Sequence, residues 1–456
     1  MPLDALIDPD SAATPILLLG PQNLAAWREA QAPAVQALVK AAGFTAAEGE
    51  AVWAPLATPT LLVGTGGRAH RWTLAAIPLT QAAEDYRLLN TLEPGEATEL
   101  AIGWALGAYR FDTYRSRGRD AARLCWPQGA DRGAVVRDVS AIALARDLIN
   151  TPANDLGPAE LADAALDLAD RHGADCRIVV GEALLDEGYR LIHAVGRASV
   201  RQPRLIDLRW GDPDAPKLTL VGKGVCFDSG GLDLKAPNFM LEMKKDMGGA
   251  AHALALAQML IEAGLPVRGR LLIAAVENAV GSDAFRPLDV ITARNGVTVE
   301  IGNTDAEGRL ILADVLVEAS SERPDLLIDF ATLTGAARIA LGADLPAVFC
   351  NDEPLAAAFL RLTEANDDPA WRMPLWRPYL ADLKGKVADL RNISGSTFAG
   401  AIYAAVFMEQ FVRPGTPWLH IDTYAWNDKS RPGRPEGGEA RNLRSAFDLI
   451  AERLCA

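Results

Sequence analysis

Residues 217–235 read KLTLVGKGVCFDSGGLDLK, an apolar run that leads into a loop carrying Lys223, Asp228 and Lys235. The apolar part predicts a buried strand, and the glycines behind it allow the backbone to turn tightly. In open α/β sheets, ligands bind at the carboxyl ends of strands. The stretch therefore predicts an α/β fold and indicates the sheet edge at which a site is expected.

Apolar runs of strand length alternate with helical segments on both sides of this stretch. The predicted strands are 176–180, 204–210, 217–222, 270–276, 297–302 and 325–331, and the clearest helices are 247–263 and 309–320. This alternation indicates a largely parallel sheet covered by helices on both faces.

The segment NTPAND, 150–155, breaks a preceding helix because proline and the Asn/Asp cluster cannot continue it. We therefore predict a small N-terminal α/β domain (1–135), a linker helix (136–150) and a C-terminal α/β domain (151–456) with a mixed, largely parallel central sheet. In the first domain, two short strands flank a helical stretch over 24–42. The GTGG at 64–67 favours a plain turn over a phosphate loop, because no GxGxxG spacing follows.

Composition excludes several classes of protein. The 456 residues carry a net charge of -14 and no basic patch, so nucleic acid is not an expected partner. No apolar run approaches the roughly 20 residues of a membrane helix, and the first ten residues carry acids and prolines instead of a secretory signal. Five scattered cysteines without a CxxC pair are typical of a reducing compartment, which predicts a cytoplasmic protein.

Charged residues collect at the predicted strand ends. They are Lys223, Asp228, Lys235, Asp246, Asp305, Glu307 and Arg309, with the polar turn Thr332–Gly335 beside them. Four neighbouring carboxylates raise one another's pKa, and burial adds to the penalty. Two divalent cations would balance the four charges, leaving one lysine as a neutral amine ligand and the other, with Arg309, free to bind an anion. The oxygen-rich donor set suits Mn²⁺ or Mg²⁺, and Zn²⁺ also accepts carboxylates.

Four segments carry a resemblance to a known family. VGKGVCFDSGGLDLK (221–235), MKKDMGGAA (243–251), NTDAEGRLILAD (303–314) and ATLTGA (331–336) resemble, in order and spacing, the leucyl aminopeptidase family of dinuclear-metal cytosol exopeptidases. The ending YAWNDKSRPGRPEGGEARNLRSAFDLI (424–450) resembles a shorter bacterial subgroup of that family. The resemblance implies a metal-dependent aminopeptidase that attacks the N-terminal peptide bond of peptides with a metal-bridging water.

The resemblance also implies a role for each matching residue. It makes Lys223 and Asp246 ligands of one metal and Asp305 a ligand of the other, with Asp228 and Glu307 bridging both. Lys235 would stabilise the oxyanion, and Arg309 would hold a bicarbonate ion as general base. Met243, Thr332, Leu333 and Gly335 would form the substrate site. A leucine-type preference, two Mn²⁺ or Zn²⁺ ions per subunit and a homo-hexamer are implied as well.

Other interpretations of the same residues stay open at this point. The ligand set also allows a two-metal phosphoesterase, and some relatives of the family moonlight as DNA-binding regulators. His420 and Asp422 share a strand face and would form either a metal or proton-transfer pair or part of a supporting strand, which we favour. His252 is expected to face away from Asp246, and Cys226 is expected to pack in the core because the sequence identifies no activating base.

Overall fold

A computed structural model describes residues 2–115 and 118–455 of the chain. The chain divides into two compact units, Met1–Ala143 with Lys429–Glu436, and Leu144–Asp428 with Gly437–Ala456. Among the helices of the described ranges, none has both the length and the apolar character needed to span a membrane.

The first unit is built on a six-stranded sheet in the order β1-β6-β5-β2-β4-β3, in which only β3 runs antiparallel to its neighbour. Its elements are β1 (Leu6–Ile7), β2 (Thr14–Leu19), α1 (Pro21–Glu29), α2 (Pro33–Ala41), β3 (Ala51–Ala54), β4 (Thr60–Gly64), α3 (Ile77–Thr80), β5 (Asp85–Leu88), α4 (Pro94–Ala108) and β6 (Arg123–Cys125). The helix α5 (Arg132–Asn150) follows and contains the division between the two units.

One prediction for this unit is wrong in detail. The helical stretch over 24–42 is two helices, because Ala32 adopts an extended ψ of 147° before Pro33. A proline disfavours helical geometry at the residue before it. The GTGG segment forms a turn directly after β4, as expected.

The second unit contains the remaining elements. They are α6 (Pro158–His172), β7 (Asp175–Val180), α7 (Ala183–Asp186), α8 (Arg190–Gly196), β8 (Arg204–Trp210), β9 (Lys217–Asp228), α9 (Pro237–Met240), α10 (Gly248–Glu262), β10 (Arg268–Asn278), β11 (Val290–Thr292), β12 (Thr298–Glu300), α11 (Gly308–Ser321), β13 (Leu326–Ala331), α12 (Gly335–Leu341), β14 (Ala347–Cys350), α13 (Glu353–Ala365), β15 (Trp371–Arg372), β16 (Leu390–Arg391), α14 (Gly400–Glu409), β17 (Trp418–Asp422), β18 (Trp426–Asn427), β19 (Gly437–Gly438) and α15 (Leu443–Leu454). A 3₁₀ helix, Met243–Met247, precedes α10.

The central sheet of this unit confirms the predicted mixed, largely parallel architecture. Its order is β15-β14-β17-β13-β9-β10-β8-β7. Strands β17, β13, β9 and β10 are parallel, whereas β14, β8 and β7 are antiparallel to their inner neighbours. The predicted strand 297–302 is not part of this sheet, because β12 pairs with β11 and β16 in a separate three-stranded sheet.

Helices cover both faces of the central sheet, with α6 and α10 on one face and α8 and α11 on the other. Helix α10 lies unusually close to the strands, and its residues 248–260 are all buried. A Cβ atom at Gly249 would lie 2.2 Å from the carbonyl oxygen of Phe330 on β13. The glycine therefore permits the close approach that brings Asp246, just before α10, to the ends of β9 and β13.

His252 is a fully buried residue of α10 that faces away from the charged cluster, as expected. Its Nδ1 lies 2.6 Å from the carbonyl oxygen of Gly248, and its Nε2 accepts a hydrogen bond of 2.9 Å from the backbone N–H of Arg441. Burial lowers the pKa of His252 to about 4 from 6.5. The imidazole is therefore a neutral bridge between two segments of the chain.

This buried imidazole makes the stability of the protein sensitive to acid. Between pH 6.5 and 4 the unfolded chain protonates His252 and the folded chain does not, so stability falls as pH decreases. The native protein and a His252→Gln variant differ in their free energy of unfolding, and we expect this difference to change in favour of the variant by about 3 kcal/mol across this window. Denaturant unfolding at several pH values measures the two free energies. Exposed His172→Gln is the control, and equal pH slopes for the native protein and His252→Gln would contradict the prediction.

Candidate active site

A single cavity of about 400 Å³ in the second unit collects the predicted strand-end residues. Its lining includes Lys223, Asp228, Lys235, Met243, Asp246, Asp305, Glu307, Thr332, Leu333 and Gly335, which are ten of the eleven predicted site residues. Of the predicted set, Arg309 alone is not part of the lining that the described residues form. The rule that ligands bind at the carboxyl ends of strands (the strand-end rule) therefore located the cleft. It did so even though Asp305 and Glu307 follow a strand of the small sheet.

Lys223 projects from the middle of β9 into the buried side of the cavity. Its Nζ lies 2.7 Å from Asp246 Oδ2 and 3.0 Å from Glu307 Oε1, and it donates a hydrogen bond of 2.9 Å to the carbonyl oxygen of Thr332. Burial lowers the pKa of Lys223, but Asp246, Glu307 and Asp228 outweigh this effect and raise it above the usual range. A Cβ atom at Gly308 would lie 2.6 Å from Lys223 Cε, so glycine at the start of α11 makes room for this side chain.

Lys235 contacts the other two carboxylates of the same acidic cluster. Its Nζ lies 2.7 Å from Asp228 Oδ2 and 2.5 Å from Asp305 Oδ1. The pKa of Lys235 is raised because these carboxylates outweigh partial burial. The two lysines thus contact all four acids, but two ammonium groups cannot balance four ionised carboxylates.

The pKa values of the carboxylates show the remaining excess of negative charge. Burial, reinforced by Asp228 and Asp246, raises the pKa of Glu307 to about 8 from 4.5 and that of Asp305 to about 6 from 3.8. Oxygen atoms of Asp228, Asp305 and Glu307 lie within 4.8 Å of one another. Glu307 Oε2 is buried and accepts no hydrogen bond from the described residues. This donor set fits divalent cations, which bind carboxylate oxygens and supply the missing positive charge.

Two asparagines that the sequence interpretation missed support the acidic residues. Asn278, the last residue of β10, donates 2.9 Å and 3.0 Å hydrogen bonds to Asp228 Oδ1 and to the carbonyl oxygen of Thr304. Asn392 accepts a 2.6 Å hydrogen bond from the Gly302 N–H and donates one of 2.8 Å to the Asn303 carbonyl oxygen. The strand-end rule could have identified Asn278, whereas Asn392 follows a two-residue strand that has no sequence signal.

Arg309 lies in the first turn of α11 and is buried. Its Nη1 donates a hydrogen bond of 2.9 Å to the carbonyl oxygen of Asn392, and its Nε has no hydrogen-bond partner among the described residues. Burial lowers the pKa of Arg309 to about 10, although Glu307 and Asp422 partly oppose this effect. A buried guanidinium with an unused N–H retains the capacity to bind an anion.

The pairing of His420 with Asp422, the less favoured of the two interpretations, does not form. His420 Nδ1 lies 2.6 Å from Asp329 Oδ1, its partner across β13 and β17. Asp422 instead accepts a hydrogen bond of 2.9 Å from the Leu333 N–H and one of 2.7 Å from the Thr334 hydroxyl. The favoured interpretation of a supporting strand is therefore the one that this geometry fits, because Asp422 shapes the turn that lines the cavity. Cys226 is buried, and burial raises the pKa of its thiol, which agrees with a packing role.

Comparison with protein families gives two matches along the chain. Residues 143–446 match the model described as "Cytosol aminopeptidase family, catalytic domain". Residues 14–127 match the model described as "M17 aminopeptidase, N-terminal domain". Together the two models account for most of the chain.

Individual relatives agree with these matches. The chain is 40% identical over 396 residues to a probable cytosol aminopeptidase of Syntrophotalea carbinolica, covering 83% of this chain and 76% of the relative. It superposes on the crystal structure of a cytosol aminopeptidase from Coxiella burnetii with a TM-score of 0.95 and 46% identity, covering 99% and 100% of the two chains. A bottromycin maturation enzyme in complex with Mn is similar at a TM-score of 0.87 and 36% identity, covering 97% and 99%.

Proposed function

Because the chain belongs to the cytosol aminopeptidase family, whose members are metallo-aminopeptidases acting on peptides, we propose that its cavity removes the N-terminal residue of a peptide with the residues described above. The observation that carries this proposal is the convergence of four carboxylates and two lysines around the unpartnered Glu307 Oε2. Such a cluster is costly in a fold without a compensating role.

Two divalent cations, Mn²⁺ or Zn²⁺, are the proposed cofactors. Lys223 and Asp246 would bind one cation and Asp305 the other, while Asp228 and Glu307 would contact both. When bound, the cations supply Lewis acidity and a water molecule of lowered pKa. Asn278 orients Asp228 for this role, as outer hydrogen-bond partners of metal ligands generally do.

Two cationic residues are proposed to serve the reaction itself. The Lys235 ammonium stands at the mouth of the acidic cluster, where it would donate to the carbonyl oxygen of the scissile bond and stabilise the charge that develops there. Arg309, through its unused Nε, would hold a bicarbonate ion that accepts the proton of the attacking water. The N–H groups of Leu333 and Thr334 are already bound to Asp422, so we propose that the turn contacts the peptide through the Leu333 carbonyl.

Met243, Thr332 and Gly335 are proposed to border the pocket for the first residue. Thr332 is fixed by a hydrogen bond of 2.8 Å to Asp246 Oδ1, and Gly335 leaves open space at the start of α12. An apolar side chain of leucine type would pack against the flexible Met243. The family resemblance supports the same preference.

The deciding experiment is hydrolysis of leucine amides by the purified protein after loading with Mn²⁺ or Zn²⁺. We expect release of leucine from the free-amine substrate and none from N-acetyl-leucine amide, because a neutral α-amine binds metal and an acetylated one does not. A folded, metal-loaded sample that cleaves neither compound would refute the proposed function.

The remaining expectations are also proposals. We propose a cytoplasmic location, supported by five cysteines that form no disulfide. We also propose a homo-hexamer, supported by the family resemblance. Sedimentation analysis of the purified protein measures the subunit number. The boundaries 1–135, 136–150 and 151–456 are proposed as N-terminal domain, linker helix and catalytic domain.

A further inference from the structure

The cavity wall carries two cationic side chains beyond the predicted site residues. Lys245 and Arg338 both line the cavity and both lie against the ring of Tyr424. The distances to the ring centroid are 4.7 Å from Lys245 Nζ and 4.5 Å from Arg338 Cζ. Tyr424 thus brings together two cations from distant parts of the chain.

Within the described part of the chain, neither cation forms an ion pair. Lys245 is only 5% exposed, and among the described residues its ammonium has no hydrogen bond or ion pair. Two further carboxylates lie beside Tyr424, whose hydroxyl donates a hydrogen bond of 2.6 Å to Glu242 and lies 3.3 Å from Asp428 Oδ1. Among the described residues, neither carboxylate forms an ion pair with Lys245 or Arg338. The neighbouring Asp246 is ion-paired with Lys223. A largely buried lysine without an ion-pair partner is costly, so its position in a substrate cavity indicates a ligand that carries a negative charge.

The position of the two cations indicates which part of the substrate they face. Lys245 is two residues after Met243 in the 3₁₀ helix Met243–Met247. Arg338 is three residues after Gly335 in α12, and positions three apart share a helix face. Both cations also line the same cavity as Met243, Thr332 and Gly335, so they lie beside the proposed pocket for the first residue.

We propose that this enzyme accepts an acidic first residue in addition to leucine-type residues, with the side-chain carboxylate bound by Lys245 and Arg338 against Tyr424. This inference rests on the proposed aminopeptidase function and on the assignment of the first-residue pocket. The substrate carboxylate would give Lys245 the ion-pair partner that it lacks among the described residues.

The test compares glutamyl and glutaminyl amides that share one leaving group. The two substrates are nearly isosteric, so the ratio of their kcat/KM values reports charge and not size. With the metal-loaded native enzyme we expect glutamyl to exceed glutaminyl by about tenfold or more, the effect of a hydrogen bond to a charged group. Lys245→Met is expected to bring the ratio near one, and Arg338→Gln to lower it by a smaller factor because Arg338 is exposed.

The chain offers a matched control in the adjacent lysine. Lys244 donates a hydrogen bond to the carbonyl oxygen of Asn150 and lies over Trp426, and it does not line the cavity. The same change, Lys244→Met, should therefore leave the glutamyl-to-glutaminyl ratio at its native value.

Several results would overturn the proposal, and each is distinct from failure of the proposed function. If the native enzyme gives a glutamyl-to-glutaminyl kcat/KM ratio of one or below, the proposal is wrong without any variant being needed. It is also wrong if Lys245→Met and Arg338→Gln both leave this ratio unchanged. A second pair of substrates, leucyl-alanine and leucyl-alanine amide, tests whether the cations bind the C-terminal carboxylate of a dipeptide instead. If Lys245→Met alters only that pair, the assignment to the first side chain is wrong. Absence of leucine amide hydrolysis in the native enzyme would instead refute the aminopeptidase proposal itself.

Discussion

Replacing Glu307 by glutamine is expected to abolish peptide hydrolysis and to remove one of two bound metal equivalents. Glu307 is the buried carboxylate that would contact both cations, and an amide supplies neither the charge nor the second ligand oxygen. Changes to residues that only support metal ligands commonly reduce affinity or activity by about 10–100-fold, so loss of a bridging ligand should exceed that range. Steady-state kinetics and metal analysis of the dialysed protein measure the two effects.

The fold of this variant should remain intact, which separates catalysis from stability. Burial and neighbouring carboxylates already raise the pKa of Glu307 to about 8, so the metal-free protein favours a neutral group there. Glu300→Gln is the matched control, because Glu300 is an equally buried glutamate that pairs with Arg391 away from the cavity. Native activity with two bound metals in Glu307→Gln would exclude the bridging role.

Replacing Lys235 by methionine is expected to lower kcat by about 10²–10³-fold, the usual effect of removing one donor to a developing oxyanion. KM should change little, because the interaction strengthens as charge develops on the substrate oxygen. Metal binding should persist or tighten, since Lys235 is a cation within 2.7 Å of Asp228 and competes electrostatically with the metals. Kinetics on leucine amides together with a metal titration give all three values.

The control for this variant lies at the start of β9, the strand that precedes the Lys235 loop. Lys217 begins β9 and donates a hydrogen bond to the carbonyl oxygen of Glu322, so Lys217→Met changes the same residue type outside the cavity. We expect native kcat in the control. A fully metal-loaded Lys235→Met enzyme with native kcat would show that Lys235 does not act on the oxyanion.

Local sequence patterns were sufficient for the architecture and for most of the cavity. Strand periodicity predicted β9, β10 and β13, and parallel strands place their carboxyl ends at one edge, so these patterns alone group Lys223, Asp228 and Asp246. The acid excess also indicated metal from charge alone. The prediction of a main-sheet strand at 297–302 was wrong because periodicity identifies a strand and not its partner.

The sequence by itself thus determined the α/β fold, the family resemblance and the residues that could bind metal, because these follow from short-range spacing. Only the tertiary structure decided which groups support and surround them. Asn278 reaches Asp228 across 50 positions and Asn392 reaches Asn303 across 89, while Tyr424 contacts Glu242 across 182. Such contacts depend on strand register and on the path of loops between distant segments, and no local periodicity encodes them. For the same reason, the cationic wall beside the first-residue pocket exists only through the tertiary contacts that bring Lys245, Arg338 and Tyr424 together.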